Sequence, residues 1–114
     1  MEESILISTK KILGLDEGYD AFDLDIITFI NSALSTLDQL GVGVSGGFAI
    51  TGSDEVWDDL NVPSNQLQLI KTYLFLKVRM LFDPPTTSYL LAAYDEQLKE
   101  YEWRLNTFVE TEAS

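Results

Sequence analysis

Apolar residues along this chain recur at helical spacing in four stretches and alternate in a fifth. The most regular stripe is Phe22, Ile26, Phe29, Ala33, Leu37 and Leu40, at intervals of 4, 3, 4, 4 and 3. Steps of three and four hold side chains on one face of a helix. Leu24, Ile27, Ile30 and Leu34 widen the face, so burial on more than one side is expected. Asp20 stands as the N-cap and Gly41 ends the helix. Ahead of it, Ser4 caps a shorter helix over 5–13, with Ile5, Ile12 and Leu13 on its face and Gly14 just past its end. Behind Val62-Pro63-Ser64, with Ser64 as cap, Leu67, Ile70, Leu74, Val78 and Leu81 are spaced 3, 4, 4 and 3. Tyr73, Phe75, Leu76, Met80 and Phe82 fill most of the other positions. The helix over 65–82 is therefore apolar almost all round and needs more contact than one amphipathic partner supplies. A last stripe, Leu91, Tyr94, Leu98, Tyr101, Leu105 and Phe108, runs at 3, 4, 3, 4 and 3 and ends near Val109. Thr87 or Ser88 caps it.

Between the two longest helices stands Asp83-Pro84-Pro85. Neither proline has a backbone N–H, and each disfavours helical geometry in the residue before it. One helix has to stop there and the next restart, which makes a helical hairpin whose angle this corner sets.

Residues 41–53, GVGVSGGFAITGS, hold five of the seven glycines. Val42, Val44, Phe48 and Ile50 alternate around Ser45-Gly46-Gly47, the pattern of a small β-hairpin. It either docks on a neighbouring chain or folds as a flap over its own core. No Gly-Lys-Ser/Thr follows, so it is not a phosphate loop. Asp54 to Leu60 forms two helical turns, with Trp57, Val56 and Leu60 on the apolar side. Trp57 is expected to dock onto the long helices. Asp54, Glu55, Asp58 and Asp59 face water, and the ligand spacing of a calcium loop is missing. Asp20, Asp23 and Asp25 are read as offsetting a helix dipole; a metal cluster is the alternative. Lys71, Lys77 and Arg79 are expected to lay their stems on apolar surface, with Arg79 in a structural ion pair. The fold class is all-α: a small helical bundle, two long helices joined at a Pro-Pro corner, a short N-terminal helix and a small hairpin at 42–50. It forms one domain over 1–114, with a flexible tail from about 107.

Charge narrows the function. Nineteen acidic residues against seven basic ones give −12 and a pI near 4.1, in a chain that is 46% apolar and so not disordered by composition. Scattered cations make no stripe for a phosphate backbone, and an anionic membrane is an equally poor partner. No apolar run approaches a membrane span, and no secretory leader is expected. Without histidine or cysteine, the Ser/His/Asp and Cys/His catalytic sets are impossible and any metal site would be all-oxygen. No catalytic, cofactor or metal residues are assigned and no cofactor is expected. Two classes remain: a subunit of a larger assembly, or an acidic decoy that mimics DNA and blocks a DNA-binding protein.

The run IKTYLFLKVRMLFDPPTTS at 70–88, with YEWRLN at 101–106, WDDL at 57–60 and SILISTKKILGLDEGYDAFDLDIITFINSALSTLDQLGVG at 4–43, resembles the head–tail connector proteins of long-tailed bacteriophages. KVRMLFDPP and EWRLN together carry the specificity; the helical stripes alone would not. The resemblance spans about 4–106. It implies an all-α, non-enzymatic virion subunit, made in the host bacterial cytoplasm and placed at the head–tail interface. It implies a ring, twelvefold when assembled, beneath the portal protein. That ring extends the DNA channel, helps retain packaged DNA and offers a platform to a tail-side completion protein. DNA passes without specific binding, and negative charge along the conduit is expected to keep it from sticking. Contacts to other chains are expected in the 41–53 loop, at Val44, Phe48 and Ile50, and from Trp103 onward, with Trp103 and Phe108 as aromatic anchors. Ordinary core packing is the alternative for each. Asp83, Pro84 and Pro85 are the structural corner.

Overall fold

A computed structural model describes residues 3–42, 48–60 and 62–113, with side chains through Thr107. Among the described residues it is an all-α bundle without strands: α1 (Ile5–Ile12), α2 (Asp23–Gln39), a 3-10 turn (Trp57–Leu60), α3 (Ser64–Phe82) and α4 (Ser88–Ala113). The central helix is α3, packed against both α2 and α4, while α1 lies on α2.

Caps fix the ends much as the residue types require. Ser4 Oγ accepts the Ile7 N–H at 3.3 Å to open α1. Gly14 and Gly41 follow α1 and α2 at φ +82° and +85°, where any side chain would be strained. Of the two candidates for α4, Thr87 caps: its carbonyl takes the Leu91 N–H at 3.1 Å and its Oγ1 the Leu90 N–H at 3.4 Å. Two expected caps are corrected. α2 begins at Asp23, because Asp20 closes a turn by accepting the Asp23 N–H through its backbone carbonyl at 3.2 Å. Ser64 is the first helical residue of α3, and Pro63, with φ −59°, occupies the cap position. α4 passes the expected end at Val109 and stays helical to Ala113, through the segment anticipated as a loose tail.

Burial narrows the stripes. On α2, Ile26, Ile30, Ala33, Leu34 and Leu37 are buried, but Leu24 is 77% exposed. The broad burial expected of this helix therefore fails in its first turn. On α3 the buried set is Gln66, Ile70, Tyr73, Leu74 and Val78; α4 adds Leu98 and Leu105. Tyr73 lies wholly inside and donates its hydroxyl to Glu102 Oε2 at 2.8 Å, tying α3 to α4.

Two polar clamps organise the rest. Lys10 is only 2% exposed. Its Nζ sits 2.9 Å from Asp23 Oδ1 and donates to the Glu17 carbonyl at 2.9 Å. The pair joins the end of α1 to the first turn of α2 and holds the connection between them. Asp23 therefore has a structural partner beyond the helix dipole. On α2, the Asn31 side chain accepts the Ile50 N–H at 2.7 Å and donates to the Ile50 carbonyl at 3.0 Å. One amide thus does for Ile50 what a partner strand would. The expected hairpin finds no strand at Val42 or at 48–50, and its turn lies outside the described residues. The following segment is pinned to α1 by a single antiparallel bridge, Ser4 with Val56. Trp57 then turns inward. Its Nε1–H donates to Ser8 Oγ at 3.1 Å, its ring meets Phe75 edge-on at 5.7 Å, and Lys71 Nζ lies 5.4 Å from its centroid. As expected, Trp57 docks on a long helix, and the segment 54–60 shortens to one 3-10 turn around it.

Candidate assembly surface

Two acids of the 54–59 cluster bind the chain's own backbone. Glu55 accepts from the Thr51 N–H at 3.0 Å and hydroxyl at 2.9 Å, and from the Gly52 N–H at 3.3 Å. The Thr51 hydroxyl first, and these N–H groups with it, hold its carboxyl below the usual glutamate value. Asp59 accepts the Val56 N–H at 3.0 Å at the head of the 3-10 turn. Two of the four carboxylates expected to face water are thus structural caps, and Asp23 is committed to Lys10. Among the described residues no group of three or more acids could hold a metal ion, and no helix is long and apolar enough to cross a membrane. The DNA-mimic alternative finds no support here.

The fold also leaves large apolar side chains exposed. At one end, Tyr19 meets Phe22 edge-on at 5.9 Å and Phe22 meets Phe82 at 5.4 Å. This brings the start of α2 beside the end of α3. Leu24 and Leu81 are exposed at the same two helix ends. Asp83 follows with φ −144° and ψ +71°; its N–H closes the last helical turn on Arg79 O, and the prolines lead to α4. The aromatic cluster therefore adjoins the Asp83-Pro84-Pro85 corner.

A second surface is the outer face of α4. Tyr89 is 82% and Trp103 68% exposed, on the side of the helix away from Leu98 and Leu105, with Glu96 and Glu100 between them.

A third is a groove of about 240 Å³ on the side of α3 opposite its buried residues. Phe75 and Leu76 lie half-buried in it, Thr72 and Arg79 extend the same helical row, and Ile12 of α1 and Gln97 of α4 flank it. The ion pair expected of Arg79 is absent among the described residues.

The anticipated contact residues separate on this map. Trp103 is exposed. Phe48 is half-buried and packed against the core. Ile50 is only 2% exposed and its backbone is held by Asn31, in keeping with the core-packing alternative. Val44 and the Phe108 side chain lie outside the described residues. Reading stripes missed Tyr19, Phe22, Leu24 and Tyr89 as surface. For two of these a signal was present: in DAFDLD at 20–25, acids alternate with Phe22 and Leu24, an unusual flank for a core position.

A search of curated proteins gives no match, and no solved structure matches either. The model of one protein family, described as phage connector protein, matches residues 5–112, from the first residue of α1 almost to the end of α4. A match of that extent takes in every helix and the corner between α3 and α4. The chain, an all-α bundle that leaves apolar faces open, belongs to the phage connector family, structural proteins of the bacteriophage head–tail junction.

Proposed function

We propose that this chain is the repeating subunit of a ring beneath the portal, extending the DNA channel and carrying the tail-side completion protein. The observation that carries this reading is unpartnered apolar surface on different helices: the Tyr19–Phe22–Phe82 cluster, the outer face of α4, and the groove on α3. A ring of identical subunits joined head to tail needs two different, complementary patches on each copy. Contacts above and below need more surface still. The Pro-Pro corner suits such a part, because a closed ring tolerates little variation in the angle between its helices. Part of the −12 charge faces the conduit and repels the duplex, while keeping free subunits apart until a partner orders them.

Light scattering after size exclusion tests this, with the protein alone at several concentrations and again with its cognate portal. The expected result is a species many times 12.8 kDa, or co-elution with the portal; a twelve-copy ring is the specific expectation. A chain that stays monomeric throughout and ignores the portal overturns the reading. DNA retained on the ring in a salt-dependent way overturns the role given to the charge.

A further inference from the structure

We infer that the groove on α3 receives the outer face of α4 from a second copy of this chain. The inference rests on the ring reading above and names the contact that would build it.

Charge complementarity selects the occupant. The surface is strongly acidic, with 19 acids against 7 bases. Lys10 is buried with Asp23, Lys71 sits over Trp57, and Lys99 and Arg104 pair along α4 with Asp95 and Glu100. Arg79 is exposed at the groove without an ion pair among the described residues. Lys11, next in sequence to Ile12 at the groove's other wall, is exposed and likewise unpaired there. A largely apolar groove with the Arg79 cation in its lining fits an apolar segment that carries carboxylates. The outer face of α4 is such a segment: Trp103, with Glu96 two turns before it and Glu100 between.

Spacing agrees. Trp103 and Glu96 are seven residues apart on α4, and Thr72 and Arg79 are seven apart on α3, so each pair spans ~10.5 Å along its helix. Setting Glu96 against Arg79 places the Trp103 ring at the Thr72 end, beside Phe75 and Leu76.

A single copy cannot satisfy itself. Gln97 flanks the groove, and Trp103, six residues on, projects about 120° away from it around α4. The contact therefore joins two different patches, and head-to-tail repetition generates a ring or a filament.

Two experiments on the full chain, assembled with its portal, test the pairing. The protein has no cysteine, so single thiols can be placed cleanly at two exposed positions. Thr72→Cys lies in the groove, and Thr107→Cys lies one turn beyond Trp103. Mixed in equal amounts and treated with a short thiol-to-thiol cross-linker, the two variants should give a covalent dimer containing one of each. Neither alone should give one. Separately, Arg79→Glu should raise the concentration needed for half-assembly about two- to fivefold, the range of an exposed ion pair. Glu96→Arg should do the same, and the double exchange should restore assembly. Assembly without the mixed cross-link, cross-linking of Thr72→Cys to itself, or no rescue by the double exchange each overturns the pairing and leaves the ring reading standing. A protein that never assembles overturns both.

Discussion

Replacing Lys10 by Met tests the principal clamp of the fold. Methionine keeps most of the volume, so the substitution removes a charge without opening a cavity. What it leaves behind decides the size of the effect. Asp23 Oδ1 is sealed from solvent and has no hydrogen-bond partner; the Lys10 ammonium at 2.9 Å is its counter-charge. The Glu17 carbonyl also loses its charged donor. Removing one member of a fully buried ion pair costs ~3–5 kcal/mol. The Asp23 side chain is 30% exposed, so water reaches part of it, and the cost here should be about 2–3 kcal/mol. Urea unfolding followed by Trp57 fluorescence reads this directly, since that ring moves from core to solvent. With a slope of ~1–1.5 kcal/mol per molar urea for a chain of this size, the midpoint should fall by roughly 2 M. Asp23→Asn should also destabilise, because it strands the ammonium. The double variant Lys10→Met/Asp23→Asn should be more stable than the sum of the two losses by at least ~1 kcal/mol. A midpoint shift under ~0.3 M for Lys10→Met, or strict additivity in the double variant, would refute the clamp, since either means the two groups do not depend on each other.

Asn31→Ala removes both partners of the Ile50 backbone. It should cost about 2–4 kcal/mol and lower the melting temperature by roughly 8–15 °C in calorimetry. Tyr73→Phe deletes the hydroxyl that donates to Glu102 and should cost ~1 kcal/mol at neutral pH in urea unfolding. Burial first, then the Glu102 bond and charge, raise the Tyr73 phenol. Its contribution is thus full below the ordinary tyrosine value of about 10 and is lost as pH rises through the folded value, so the wild type should lose stability above ~pH 10 by a share that Tyr73→Phe lacks. Glu55 is depressed, so the sign reverses. Glu55→Gln should destabilise at neutral pH, and in acid melts the difference should shrink as the wild type falls through its folded value, below 4.5.

Local chemistry was legible wherever one residue answers to its neighbours. The Ser4 cap, the glycines at 14 and 41, the stop at Asp83-Pro84-Pro85 and the helical stripes all follow from steric and hydrogen-bond rules acting within a turn. Positions set by distant partners were not. Lys10 reads as a surface lysine at the end of a short helix until the fold brings Asp23 and the Glu17 carbonyl to it. Asn31 is one of several polar residues along α2, and nothing local says that its amide replaces a strand for Ile50. That same bond explains why alternation at 48–50 misleads: the alternating residue is held by a side chain, and no paired strand is present there. Of the candidate surface, Trp103 was visible as an aromatic off the core stripe. The Tyr19–Phe22–Phe82 cluster was not, because membership in it depends on how the ends of α2 and α3 meet.

The near-continuous apolarity of α3 raised the question of what such a helix contacts, and the fold answers half of it. Ile70, Tyr73, Leu74 and Val78 are consumed by α2, α4 and the core between them. Phe75 and Leu76 point to the other side, where Trp57 and Lys71 cover part of the row and the groove leaves the remainder open. A helix in the middle of a small bundle would usually be shielded on that side by a fifth element, or made polar there. Here the shielding is partial, and the one cation in that row, Arg79, has no partner among the described residues. Phe75 meets the Trp57 ring, and Phe75 and Leu76 both lie against the core, but their outer sides and Arg79 stay open; a covering helix with a carboxylate at the matching turn would use all three. The sequence supplies that helix in α4 of another copy, so a single segment serves the core on one face and, in the reading proposed here, the ring on the other.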